Sequence, residues 1–240
     1  SAAALAAAQP HASHPCQSIL AIDNPDRSLV FSYEEVQAAV ETFPKPTVLA
    51  EDAATLEHIR AALPGQDVAH FSTHGWAGFD QPLDGGLLLA KGEQLTLRQV
   101  LDLHLPPFRL AVLSACETGI PGTALPDEVI SLPAGFLQAG AAGVVGSLWS
   151  VNDASTMMLM SHFYELWRKR GCSPAEALRQ AQIWLRNASP EDKRAFFELY
   201  ASSAGSRMPV DTADTAVKEL IARTDFSHPF YWAAFQYYGV

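Results

Sequence analysis

Short apolar runs alternate with amphipathic stretches along most of this 240-residue chain. Ser18–Ile22 (SILAI), Thr47–Ala50, Val68–Ser72 (VAHFS), Phe108–Leu113 and Gly143–Trp149 (GVVGSLW) are bounded by turn residues, and each predicts a strand. Leu87–Ala90 and Leu95–Leu97 flank Lys91-Gly92-Glu93 and predict a small hairpin. Between them lie helix signals. Ser32 with Glu35 reads as a capping box opening a helix to about Glu41, and Thr96 with Gln99 as another to about Leu103. Asp52 reads as the N-cap of a helix ending near Pro64-Gly65, and Leu132–Ala139 is helical by pattern. Asp153 is placed to cap a helix running to Gly171, with Met157, Met160, Phe163, Tyr164 and Trp167 on one face, a stripe that reads as core packing. Ser173-Pro174-Ala175-Glu176 opens the next helix with proline at its first position. Residues 189–224 are more polar and read as a helical excursion; the chain then finishes on the aromatic, strand-like FYWAAFQYYGV.

Strand–helix alternation of this kind implies an α/β fold, a layered α/β/α sandwich around a mainly parallel sheet. Sheets of that class bind ligands beyond the carboxyl ends of their strands. His74 and Cys116 both lie just past such ends.

Composition narrows the classes. A hydrophobic fraction of 48% with 18% charged residues is that of a soluble globular chain. The net charge of −10 argues against nucleic acid as a partner, since phosphate neutralisation needs clustered cations. Arg168-Lys169-Arg170 is a local basic cluster, at a helix end where it suits the helix dipole. No apolar run approaches membrane-spanning length, so no membrane partner is expected. Cys16, Cys116 and Cys172 form no CxxC pair, which fits a reducing cytoplasm better than a secreted disulfide scaffold. The opening SAAALAAAQP lacks a basic flank and reads as a tail or linker over residues 1–17, ahead of one domain over 18–240.

Thiol catalysis needs a thiolate, a base and donors for the oxyanion. Cys116 in LSACETG has the position for a nucleophile, and His74 has the chemistry of a base near neutrality. Gly75, lacking a side chain, lets a backbone N–H approach a substrate carbonyl closely. The alternative is a packed structural thiol, the commoner fate of a cysteine ending an apolar strand. Glu117 counts against ionisation of its neighbour unless its side chain turns away. A zinc site among His58, His70, His74, His104 and the cysteines ranks below the thiol reading, because His70 and His74 on one strand lie too far apart to chelate an ion easily. Ser147 lacks the second glycine of a nucleophile elbow, and the glycines of AGAAGVVG precede a strand, unlike those of a phosphate loop.

Four stretches in order, HFSTHG (70–75), LSACETG (113–119), FLQAGAAGVVGSLWSVND (136–153) and HPFYWAAFQYYG (228–239), resemble the CHAT domain. That is a caspase-like module often attached to tetratricopeptide repeats and related to separases, caspases and other clan CD cysteine proteases. The resemblance runs from about Ser18 to Gly239. It implies a caspase-like fold over residues 18–240 and a cysteine endopeptidase acting on protein or peptide substrates. His74 and Cys116 would be its dyad, with the backbone N–H groups of Gly75 and Cys116 as oxyanion hole. No third acidic residue, metal or cofactor is implied. LWSVND resembles the separase stretch whose acid receives an arginine, which makes Asp153, with Trp149 and Ser147, the S1 candidates and a basic P1 residue the expected specificity. A plain helix cap is the competing reading of Asp153. The resemblance also implies gating by a regulatory module such as tetratricopeptide repeats, upstream or in trans. The 189–224 excursion, longer than the family's usual connection, would shape or cover the site. A catalytically silent scaffold or binding domain of the same fold is the alternative function.

Overall fold

The computed structural model describes residues 9–12, 15–78, 80–103, 105–115, 131–201 and 212–240. Its centre is a six-stranded sheet in the order β2-β1-β3-β7-β8-β9, comprising Ser18–Asp23 (β1), Lys45–Ala50 (β2), Val68–Ser72 (β3), Phe108–Ser114 (β7), Ala141–Ser147 (β8) and Phe235–Gly239 (β9). The pairings through β8 are parallel, and β9 closes the edge antiparallel. A separate three-stranded sheet joins Gly75–Trp76 (β4), Gly86–Leu88 (β5) and Gln94–Thr96 (β6), which includes the hairpin read from the sequence.

The inner strands are almost continuously apolar because both faces are covered. In β1, Ile19 and Ala21 enter one core while Leu20 and Ile22 enter the other, as the two-residue period requires. The first core is roofed by helices Ser32–Val40 (α1), Asp153–Tyr164 (α5), Pro174–Asn187 (α6), Pro190–Ala201 (α7) and Thr212–Arg223 (α8). The second is roofed by Leu56–Ala62 (α2), Leu97–Leu101 (α3) and Leu132–Ala139 (α4), together with the small sheet. Met157, Met160, Phe163, Tyr164 and Trp167 are all buried in the first core, as the stripe predicts. The described parts of 189–224 are α7 and α8, joined where Arg194 pairs through two nitrogens with Glu219.

Several local expectations give way to long-range partners. β2 begins at Lys45 and carries Pro46, tolerated because β2 is an edge strand. Ser32 caps nothing: Phe31 holds the N-cap position of α1, while the Ser32 hydroxyl lies 2.7 Å from Asp23 and 2.8 Å from Ser72. Glu35, the other half of the expected box, turns to His70. Asp52 falls in a 3-10 turn, and Thr55 caps α2 by accepting from the His58 N–H. Arg168 reaches the Cys16 carbonyl at 2.7 Å and stacks over Phe43, so dipole pairing is not its main contact. β8 stops at Ser147, and FYWAAFQYYGV divides into a short helix Pro229–Trp232 (α9) and β9. The Thr96–Gln99 box is present in both directions.

Candidate active site

Four parallel strands end on a buried polar residue: Asp23 of β1, Ser72 of β3, Ser114 of β7 and Ser147 of β8. Asp23, Ser72 and Ser114 stand in register with one another across the sheet. The apolar core thus terminates in a polar rim at the carboxyl edge, where ligands of open α/β sheets bind. His74 leaves this rim two positions after Ser72. Ala115 leaves it directly after Ser114, on the neighbouring strand. Cys116 and Glu117, like His104, lie outside the described residues.

His74 is half exposed, with 43% of its side chain accessible, and its Nε2 lies 2.6 Å from the Ser28 hydroxyl and 3.8 Å from Asp26 Oδ2. The Leu88 N–H donates to the His74 carbonyl at 2.8 Å, and Gly75 pairs with Leu87. That pattern puts Gly75 at a non-hydrogen-bonded position of the β4–β5 ladder, so its own N–H faces away from β5. A backbone donor is thereby turned outward immediately after His74.

The three S1 candidates have distinct surroundings. The Ser147 side chain is fully buried, and its hydroxyl donates to the Ala115 carbonyl, bracing the residue just before Cys116. Trp149 is half buried against the first core and donates its indole N–H to Phe230 O at 3.0 Å. Asp153 is not the cap of α5; Asn152 is, accepting from the Ser155 N–H at 3.1 Å. Asp153 Oδ2 instead accepts from the backbone N–H groups of Val30 at 2.7 Å and Phe31 at 3.1 Å. Burial pushes the Asp153 carboxyl above its usual value, and the Glu35 carboxylate adds to this; the Phe31 and Val30 N–H groups and the His74 ring pull the other way. Asp153 therefore sits within electrostatic reach of His74.

His70 belongs to a different environment. It is fully buried under α1 and α5, with Nδ1 3.1 Å from the Tyr164 hydroxyl and Nε2 3.1 Å from Glu35 Oε1, the latter at an angle that makes the contact electrostatic. His58 directs Nδ1 to Ala53 O. Among the described residues, no group of three or more His, Cys, Asp or Glu side chains converges as metal ligands would. Nor is any described helix long and apolar enough to cross a membrane.

The CHAT domain pattern matches residues 1–240. This chain belongs to the CHAT domain family. A stretch of 130 residues, 53% of the chain, is 32% identical to human Tetratricopeptide repeat protein 28, of which it covers 5%. Among solved structures, the Arg specific cysteine proteinase gingipain R (RGPB) superposes with a TM-score of 0.51 at 11% identity, over 90% of this chain and 47% of that one. The complex of Porphyromonas gingivalis RgpB pro- and mature domains gives 0.51 at 14% identity, over 78% and 44%. The Saccharomyces cerevisiae separase–securin complex gives 0.50 at 16% identity, over 75% and 12%. This CHAT domain thus has the caspase-like fold of these proteinases and spans under half the length of each.

Sequence reasoning missed Asp26 and Ser28. In the CHAT domain they lie on the loop of residues 24–31 that connects β1 to α1. The short-range signal was available, since Asp26 with Ser28 forms a tight side-chain turn. The approach of that turn to His74, 46 positions along the chain, was not.

Proposed function

We propose that this CHAT domain is a cysteine endopeptidase working through His74 and Cys116. The observation that supports the reading is the Ser72–Ser114 register: the two strands that precede His74 and Cys116 in the sequence end side by side, at the edge where open α/β sheets bind ligands. His74 takes the thiol proton, and the Cys116 sulfur bonds to the scissile carbonyl carbon. The Gly75 and Cys116 N–H groups meet the resulting oxyanion. His74 then delivers its proton to the amine nitrogen as the C–N bond breaks, and water hydrolyses the thioester to regenerate the thiol. No cofactor or metal is required by these steps.

A basic P1 residue is the proposed specificity, with Asp153 supplying the charge and Trp149 an apolar wall. Ser147 contributes by holding Ala115. The likeness in fold to gingipain R, an Arg specific cysteine proteinase, supports this choice. Regulation by a repeat module, in the same chain or in trans, is supported by the tetratricopeptide repeat relative. A reducing cytoplasm suits a free nucleophilic thiol.

The test is cleavage of a peptide library by wild type, Cys116→Ala and His74→Ala, with labelling by a thiol-reactive peptide warhead. Loss of cleavage in both variants, and labelling at Cys116 that His74→Ala abolishes, is the expected result. Unchanged cleavage in either variant would overturn the dyad. Absence of Cys116 labelling with a repeat module present would favour the silent scaffold. Cys16 serves as internal control: burial pushes its thiol up to about 11, so it stays unlabelled in the folded domain.

A further inference from the structure

We infer that Ser28, backed by Asp26, is a positioning pair that fixes the proton of His74 on Nε2 and leaves Nδ1 as the basic atom. The inference rests on the proposed role of His74, but the hydrogen-bond geometry stands on its own.

The Ser28 hydroxyl has one proton and three neighbours within reach: Asp26 Oδ1 at 2.9 Å, Asp26 Oδ2 at 3.0 Å and His74 Nε2 at 2.6 Å. Asp26 turns both of its acceptor oxygens to the hydroxyl, so the hydroxyl proton goes to Asp26. The Ser28 oxygen must then accept from Nε2–H. This assigns the tautomer in the way a partner on one ring nitrogen sets the state of the other. The proton accepted from a thiol would enter at Nδ1. The Asp26 carboxylate, 3.8 Å from Nε2, would face the imidazolium so formed.

The loop that carries the pair is held at three points. Asn24, at φ 47°, donates its side-chain amide to Leu29 O at 2.7 Å and accepts from Leu29 N at 3.0 Å. Its backbone N–H donates to Ser72 O at 3.0 Å, fastening the loop to the strand that leads to His74. Arg27, at φ 62°, reaches Glu51 at 3.0 Å and Asp52 at 2.6 Å. Beyond Ser28, the Val30 and Phe31 N–H groups hold Asp153. One loop therefore touches both the proposed base and the proposed specificity acid.

The test compares Ser28→Ala, Ser28→Thr and Asp26→Asn with wild type by nitrogen-15 NMR of the histidine rings, assigning His74 through its loss in His74→Ala. Wild type and Ser28→Thr should show one tautomer protonated at Nε2; Ser28→Ala should show a mixture. Warhead labelling of Cys116 and kcat should fall roughly ten- to a hundredfold in Ser28→Ala with KM held, and recover in Ser28→Thr. Asp26→Asn, at a partly exposed loop position, should give an intermediate loss and a native fold by circular dichroism. A His74 protonated at Nδ1 in wild type, or ring signals unaltered by Ser28→Ala, would overturn the inference. The NMR arm decides this even for a domain that never labels Cys116, in which case the protease reading fails alone.

Discussion

Asp153 meets two opposed demands. Burial disfavours its charge, while two backbone N–H groups and the His74 ring favour it, and burial prevails. Its folded-state carboxyl thus holds a proton more tightly than the unfolded chain does. The stability penalty of the charge is absent at acid pH and fully present above the raised value. Asp153→Asn keeps an oxygen able to accept from Val30 and Phe31 and removes the charge. It should therefore be more stable than wild type at pH 7, with the advantage shrinking to nothing as pH falls towards about 4, the ordinary carboxylate value. Urea unfolding at a series of pH values reads this; a difference that does not vary with pH would contradict it. The same variant should lose preference for arginine or lysine at P1. Local pattern places the cap of α5 at Asp153, whereas the structure has it one residue earlier, at Asn152. The true partners of Asp153 lie 123 and 122 positions away, beyond any local rule.

Elements were legible where their signals are local. Thr96 and Gln99 satisfy each other three residues apart, so their box survives in the fold. Ser32 and Glu35 have identical spacing but are claimed by Asp23, Ser72 and His70, each on another element. Strand ends show the same competition. Ser147 reads from sequence as a failed nucleophile elbow or a pocket residue, yet its hydroxyl joins the end of β8 to the end of β7 through Ala115. Ser147→Ala should cost about 1 kcal/mol by removing one buried hydrogen bond. It should also slow warhead labelling of Cys116, because the preceding carbonyl loses its brace. Ser147→Thr, which keeps the hydroxyl, should restore part of both. Loss of stability with unaltered labelling would limit Ser147 to a structural tie between the two strands.

At the scale of the whole molecule, the two-sided burial of the sheet explains why its strands could be read as apolar runs and its order could not. Ile19 and Leu20 announce a strand covered on both faces, but nothing near them names β2 and β3 as neighbours. Net charge is a property at this scale with a kinetic consequence. A domain carrying −10 should draw basic peptides towards it, and salt should weaken the attraction. Raising ionic strength from about 0.01 to about 1 M contracts the screening length from roughly 30 to 3 Å. If Asp153 receives a basic P1 residue, kcat/KM for arginine peptides should fall several-fold across that range, mainly through KM. Peptides with a neutral P1 residue and the same remaining sequence should change little. The contrast matters more than the slope. Global steering alone depends on the peptide's total charge, so moving the arginine from P1 to a distal position would preserve the salt effect. A bound ion pair at Asp153 predicts that this shift removes the rate advantage itself while leaving the weaker, long-range salt dependence behind.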